Sequence, residues 1–472
     1  MTIPNVLADR YSSPAMVSLF DPVNRVVTER RFWLAVLEAQ IDLGLDVDRS
    51  VLDDYVAVID DVDLDSIRER EAVTRHDVKS RLDEFSALAG HEHLHKGLTS
   101  RDVTENVEQL LIWQALELVE IRTIGLLSRL AELSAQHAKT IVVGRTHNVA
   151  AQPTTVGKRF AMFGEELLLA LEQLRSLRHR FSLRGIKGPV GSQQDQLDLL
   201  GSAEAVGELE RRLASHLGVP NVLNAVGQVY PRSLDLGVVS SLVQLSAGPA
   251  NMALMIRLMA GHDLATEGFQ AGQVGSSAMP HKMNTRSCER INGLAVILKG
   301  HLTMASGLSG DQWGEGDVSC SVVRRVVIPD AFFALDGLLE TSFAVLNDFS
   351  VFPAVVDAEL QRYLPFLATT KLLMHGVRNG IGRETAHEVI KEHAVATALQ
   401  MREGTANGQT LLVRLGADER FPGDEAELSA MVSDASDLLG LVDKQTSTFV
   451  ASVQSIAADR PDAAAYRGGS IL

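Results

Sequence analysis

Four short polar stretches interrupt an otherwise apolar chain and carry most of its reactive side chains: TRHDVKS (74–80), GLTSRD (97–102), GRTHNVAAQPTT (144–155) and GSSAMPHKMN (275–284). The last is the most particular. Within ten residues a glycine is followed by two serines, a methionine–proline step, a histidine–lysine pair and an asparagine, too polar for a core and too specific for a plain linker. Imidazole, hydroxyl and ammonium groups together are suited to moving protons near neutral pH. The chain has no C-x-x-C pair, no H-E-x-x-H, no G-x-G-x-x-G and no G-x-x-x-x-G-K-[ST]. That pattern points to acid–base chemistry by His, Ser and Lys with no metal and no nucleotide cofactor. A Ser–His–Asp hydrolase remains open, although the G-x-S-x-G elbow is absent. Taken singly, each stretch is also an ordinary turn. Thr99 or Ser100 can cap a following helix, Pro153 with two threonines can start one, and a lone histidine is more often a hydrogen-bonded structural residue.

The elements between these stretches must hold them in place. Residues 27–42, and shorter pieces up to Ala89, have helical apolar spacing. From the segment 91–106 to His137 the spacing predicts one long helix, with Gly125 its one glycine; some 30 residues would span roughly 45 Å. Further long helices are predicted up to about Arg180, from about Leu234 to Ala260 with Pro249 inside, from about Arg286 to Leu302, and from about Val322 to Asp348. Strand-like alternation is sparse, so the fold class is all-α. Shorter helices after about Ser350, with glycines at 376, 380 and 382, read as a separate C-terminal domain, and ADRPDAAAYRGGSIL reads as a loosely held tail. The division expected is an N-terminal helical domain (1–105), a central long-helix bundle (106–350, with the polar loop at 270–285) and a C-terminal helical domain with tail (351–472). Several helices are apolar around more of their circumference than one partner covers, which predicts a bundle shared between subunits.

Bulk properties narrow the class. The 472-residue chain carries 60 acidic and 44 basic side chains, a net charge of −16, which argues against a nucleic-acid or membrane-surface binder. A small anion can still bind a local basic pocket. Only Cys288 and Cys320 are present, so no disulfide framework is implied. With no signal-peptide pattern and no run of uncharged apolar residues long enough to span a bilayer, a cytoplasmic location is expected.

The decapeptide 275–284 resembles the signature loop GSSxMPxKxN of the fumarase/aspartase superfamily, and the other polar stretches occur in that superfamily's order. DRYSSPAM (9–16), TRHDVKS, GRTHNVAAQPTTVGKR and GQVYPRS (227–233) are most similar to its adenylosuccinate lyase branch. The resemblance runs from about residue 9 to 400. It implies a three-domain all-α fold with a central helix bundle completed by tetramerisation. It also implies an anti β-elimination that releases fumarate from a succinylated purine or imidazole ribotide, without cofactor, at sites shared among the subunits of a homotetramer.

Carried over position by position, the resemblance implies that Ser276 is the base, with Ser277 its hydrogen-bonding neighbour. Lys282 and Asn284 would hold the carboxylate on which charge develops, and Met279 would shape the loop. His147 resembles the acid and His76 the second active-site histidine, which would orient His147 or contact the phosphate, with Arg75 and Asp77 beside it among the substrate-binding residues. Thr99, Ser100 and Thr146 match carboxylate-binding residues, and Gln228 matches a glutamine that reaches the succinyl group or the base. Arg10, Tyr11, Arg290, Ser321 and Arg325 match a phosphate-binding set, and Glu289 a glutamate paired with the acid histidine. The sequence departs from the branch pattern in three places: Gly316 stands where an arginine is usual, Thr285 replaces a proline, and Val229 replaces a threonine. Rival readings are a sister lyase, such as argininosuccinate lyase, and a helical scaffold without activity.

Overall fold

Several helix starts in this chain follow from the polar residue in front of them. Asp21 accepts the Val23 amide at 2.8 Å and Pro22 opens the helix Pro22–Asp42, where a missing N–H costs nothing. Thr155 caps Val156–His179 through the Lys158 amide at 3.0 Å. The Thr99 amide donates to Asp102 at 2.8 Å at the head of Ser100–Gln136, a 37-residue helix about 55 Å long. The computed structural model describes residues 4–268, 279 and 281–469. Ser276 and Ser277 lie outside the described residues.

Five long helices form the central bundle: Ser100–Gln136, Val156–His179, Ser233–Gly261, Arg286–Leu308 and Ser319–Asp348. Consecutive members pack against one another, and the last returns to the first. Leu116, Leu127, Leu167, Leu174, Leu242, Leu245, Leu298 and Leu338 make one continuous core between them. By length and composition Ser233–Gly261 could cross a membrane, but 56% of its apolar window is buried inside this bundle. Leu169, Leu254, Val296 and Val322 remain exposed on bundle helices.

A second core lies under the N-terminal helices. It joins Phe32, Trp33, Tyr55 and Phe85 to Val103, Val107 and Leu111 of the Ser100 helix and to Ile186, Leu209 and Leu213 further on. A third, around Leu372, Leu411, Leu415 and Phe421, belongs to the C-terminal helices, whereas Phe449 and Val453 of Val442–Asp459 pack into the bundle.

Two expectations are corrected. Pro153 does not open a helix: residues Ile141–Thr146 (β1) and Val149–Thr155 (β2) form an antiparallel hairpin in which Pro153 pairs with Val143. Nor is the tail loose up to residue 469. Pro461–Ala464 is a short helix on the Ser100 helix, Tyr466 donates its hydroxyl to the buried Glu340, and its ring meets Phe343 edge-on at 5.4 Å. That packing accounts for Gly125, since a Cβ there would stand 2.9 Å from the Tyr466 carbonyl oxygen.

Candidate active site

Two helix N-termini meet at the first candidate cluster. The helix Leu64–Thr74 ends at Arg75, whose left-handed φ of 52° turns the chain so that His76 becomes the N-cap of Asp77–Ala89. His76 Nδ1 accepts the Lys79 amide at 3.3 Å, and Nε2 faces Ser100 Oγ at 3.3 Å. With Nδ1 engaged as acceptor, the neutral ring carries its proton on Nε2 and donates to Ser100. Both helix dipoles present their positive ends here, a setting that favours an anion. A cavity of about 520 Å³ opens beside His76, lined by Arg25, Glu71, Arg75, Asp77, Arg81 and Arg325. Its volume lies in the roughly 300–1,000 Å³ range of small-molecule sites. Another surface cavity, about 590 Å³ around Arg31, Glu38, Arg49 and Asp53, contains none of the candidate residues, and its Arg49 is already bound to Glu38 and Asp42.

Behind this cluster runs a chain of ion pairs, most of them buried, that the sequence alone does not reveal. Asp77 binds Arg81 at 3.2 Å, Arg81 binds Glu29 at 2.5 Å, and Glu29 lies 3.7 Å from Arg25. Arg25 binds Glu108 at 2.7 Å, and Glu108 also binds Arg324, which reaches Asp235 at 2.7 Å. The Arg324 and Arg232 guanidiniums lie over the Tyr230 ring at 5.0 and 4.4 Å. Arg232 binds Glu105 at 2.8 Å, and Glu105 holds Arg101 at 3.2 Å. Arg101 in turn donates to Ser321 Oγ at 3.2 Å. The chain of charges thus starts and ends on candidate residues, Asp77 and Ser321.

Its carboxylates are tuned in opposite directions. Burial works to raise Glu108, but Arg324 and Arg25 hold it down to about 2. Burial likewise works to raise Asp77, yet Arg81, the Val78 amide and Arg325 keep it below the ordinary carboxylate value. At Glu29 burial prevails over Arg81 and Arg25, and the carboxyl is pushed up. Burial also pushes the Tyr230 hydroxyl far above its usual range, so it stays a hydrogen-bond donor, 2.7 Å from Asp235.

Gln228 adjoins the same region: its amide donates to the Glu315 carbonyl at 2.7 Å, and the Tyr230 amide faces Glu105 at 3.4 Å. Thr99 is fixed from below by Asp102, a fully buried carboxylate that binds Arg184 at 2.5 Å and accepts the Lys187 and Gly188 amides at 2.9 and 3.0 Å. His95 lies close by, within reach of Asp102 and His76. The Trp33 indole donates to its Nδ1 at 3.1 Å, and burial, with lesser contributions from nearby His76 and Lys79, outweighs Asp102 to hold its pKa down. The alternating histidines of HEHLHK were the available signal.

The remaining candidates lie elsewhere in the chain. Thr146 and His147 are exposed at the hairpin turn, where His147 and Asn148 have φ of 54° and 60°. Two consecutive left-handed residues make a type I′ connection, which matches the twist of the flanking strands. Among the described residues, no hydrogen bond or ion pair joins His147 to Glu289 or to the His76 cluster. Tyr11 lies under the Arg290 guanidinium at 5.6 Å, and the following serines bind Asp336, Ser12 Oγ at 2.9 Å and the Ser13 amide at 2.6 Å. Arg10 and Lys282 are exposed, and the Lys282 amide donates to the Met279 carbonyl at 3.0 Å. Glu289 lies in the first turn of the helix Arg286–Leu308, and Asn284 is half-buried just before it. Buried Glu267 accepts the Ser287 and Cys288 amides, each at 2.9 Å, so the first turn of that helix is capped from outside it.

The phosphate-binding set expected from the sequence is therefore not one cluster within the chain. Ser321 and Arg325 stand at the start of Ser319–Asp348, while Tyr11, with the Arg290 guanidinium over its ring and Arg10 before it in sequence, directly precedes the serines bound to Asp336. From residue 321 to 336 that helix rises by about 22 Å, too far for one phosphate to meet both groups.

Comparison with known proteins agrees with this architecture. A family model described as lyase matches residues 28–300, and one described as adenylosuccinate lyase C-terminus matches residues 365–449. The chain is 33% identical over 455 residues to the adenylosuccinate lyase of Saccharomyces cerevisiae, covering 94% of this chain and 93% of that one. It is 31% identical to that of Schistosoma mansoni, covering 94% of each. In fold it is similar to the 3-carboxy-cis,cis-muconate lactonizing enzyme of Pseudomonas putida, with a TM-score of 0.81 over 96% of this chain and all of that one at 20% identity. The all-α bundle, the polar clusters at the ends of its helices and nearly full-length sequence similarity lead to one assignment: the chain belongs to the adenylosuccinate lyase family of the fumarase/aspartase superfamily.

Proposed function

We propose that this protein is a carbon–nitrogen lyase that eliminates fumarate from adenylosuccinate, leaving AMP, and from the succinylated aminoimidazole carboxamide ribotide. The observation that carries the reading is similarity over 94% of the chain to relatives named for that activity. Ser276 removes the proton next to one carboxylate. The electron pair left on carbon forms the double bond of fumarate as the C–N bond breaks, and His147 protonates the departing nitrogen. Between those events negative charge accumulates on the carboxylate, where the Lys282 ammonium and the Asn284 amide stabilise it. Thr99 and Ser100 hold a carboxylate of the succinyl group at their helix N-terminus, with His76 beside them.

The active form in this reading is a homotetramer whose sites combine clusters from different subunits. Support comes from the separation of the His76, His147 and Tyr11 clusters within one chain, and from the apolar side chains exposed on bundle helices. A cytoplasmic location is supported by two cysteines that are both free.

A fumarate absorbance assay with adenylosuccinate, the succinylated imidazole ribotide and argininosuccinate in parallel tests the reading. Turnover of both ribotides, abolished in Ser276→Ala, is expected. Turnover of neither ribotide by the intact oligomer would overturn it, and turnover of argininosuccinate alone would move the protein to the sister lyases.

A further inference from the structure

Arg101 follows Ser100 in the first turn of the longest helix and is the link between Glu105 of the ion-pair chain and Ser321. Its Nη2 donates to Ser321 Oγ at 3.2 Å, and its side chain is 17% exposed. Ser321 and Arg325 stand four residues apart on Ser319–Asp348, on the same face. Arg101 therefore reaches from a second helix to the Ser321 hydroxyl, one turn before Arg325. Because the Ser321 oxygen accepts from Arg101, its proton is free to donate elsewhere. Arg325 lines the cavity beside His76, and Ser321 lies one helical turn before it, so two guanidiniums, one hydroxyl donor and the Ser100 helix N-terminus are brought close together, the donor set that a tetrahedral dianion requires.

The local charges leave Arg101 with capacity to spare. Its carboxylate partner, Glu105, is 3.2 Å away and already holds Arg232 at 2.8 Å, with Arg324 at 3.8 Å. One carboxylate divided among three guanidiniums neutralises Arg101 only in part. No cation can come from position 316 either. A Cβ on Gly316 would stand 2.9 Å from Gln228 Cβ, and the bond from the Gln228 amide to the Glu315 carbonyl holds the two segments together.

We propose that Arg101 binds the phosphate monoester of the substrate together with Ser321 and Arg325, supplying from the Ser100 helix the cation that Gly316 does not. This rests on the reading above that the substrate is a ribotide. Arg101 is then a specificity-determining residue that separates phosphorylated substrates from their nucleosides. The phosphate is remote from the bond that breaks, so the contact contributes equally to the ground and transition states and acts on KM rather than kcat.

The test compares full-length wild type, Arg101→Gln and Arg101→Lys on adenylosuccinate and on succinyladenosine, the same molecule without its phosphate. Loss of a charge-assisted hydrogen bond in Arg101→Gln should raise KM for adenylosuccinate about tenfold or more, with kcat within about threefold. The same variant should leave kcat/KM on succinyladenosine within about twofold of wild type, and Arg101→Lys, which keeps the charge but not the fork, should fall between. An unchanged KM for adenylosuccinate in Arg101→Gln, or an equal loss on both substrates, overturns the proposal. If the glutamine variant does not fold, Arg101→Lys decides alone, because a KM for adenylosuccinate equal to that of wild type would refute the contact. Wild type that turns over neither ribotide would instead refute the ribotide reading, and the role of Arg101 would fall with it.

Discussion

Replacing Glu108 with glutamine should destabilise the protein by about 3 kcal/mol at neutral pH, and the loss should fade in acid. Glu108 is shared by Arg324 and Arg25, and these hold its carboxyl down to about 2 against an ordinary value of 4.5. At about 1.4 kcal/mol per tenfold change in proton affinity, that difference corresponds to about 3 kcal/mol. The figure agrees with the lower end of the roughly 3–5 kcal/mol cost of removing one partner of a buried ion pair. The lower end is expected because Arg324 keeps Asp235 at 2.7 Å and Arg25 keeps Glu29 at 3.7 Å. A carboxyl whose folded pKa is depressed contributes stability that is complete above the unfolded value and lost as pH falls toward the folded one. Glutamine stands in for the protonated acid, so the gap between Glu108→Gln and wild type should shrink to less than half its neutral-pH size at pH 3. Urea unfolding at fixed protein concentration, at pH 7 and pH 3, measures both differences. A gap under about 1 kcal/mol at pH 7, or one of equal size at pH 3, would refute the reasoning.

The tail and the Gly316 loop give two more tests. Gly125→Val places a branched side chain against the Tyr466 and Ala463 carbonyls, 2.9 and 3.1 Å from the new Cβ. It should cost about 1–3 kcal/mol, seen as a lower melting temperature and faster carboxypeptidase trimming; unchanged trimming would show that the tail is not held by this contact. Gly316→Arg should raise KM rather than lower it, because its Cβ meets Gln228. Steady-state kinetics on adenylosuccinate decide this, and a lower KM would show that the loop can accommodate the side chain.

The parts of the site legible in the sequence were those where reactive side chains break an apolar pattern. GLTS stood out because the helix after it is rich in Leu, Val and Ala, the decapeptide because its run of polar residues is so particular, and TRHD because a histidine breaks two helical patterns there. The hairpin was harder to read. VAAQPTT is short, only half alternating and contains a proline, so helix-start signals at Pro153 and Thr155 competed with strand pairing that depends on a partner at 141–146. The ion-pair chain was not legible at all. Its members lie on helices far apart in sequence, from Arg25 to Arg324, and each charge taken singly reads as solvated surface. Tyr466 was hidden for a similar reason, since the hydroxyl of a tail residue has no local pattern to announce a buried partner at Glu340.

Subunit complementation tests most directly the claim that one chain supplies separate parts of a shared lyase site. His76→Ala and His147→Ala proteins, each inactive alone, would be unfolded together, refolded at equal concentration and assayed for fumarate release from adenylosuccinate. If the two histidines reach one site from different subunits, random assembly returns activity to about one quarter of the wild-type level. If each chain builds its own site, every site keeps one defective histidine and no activity returns, which would contradict the account.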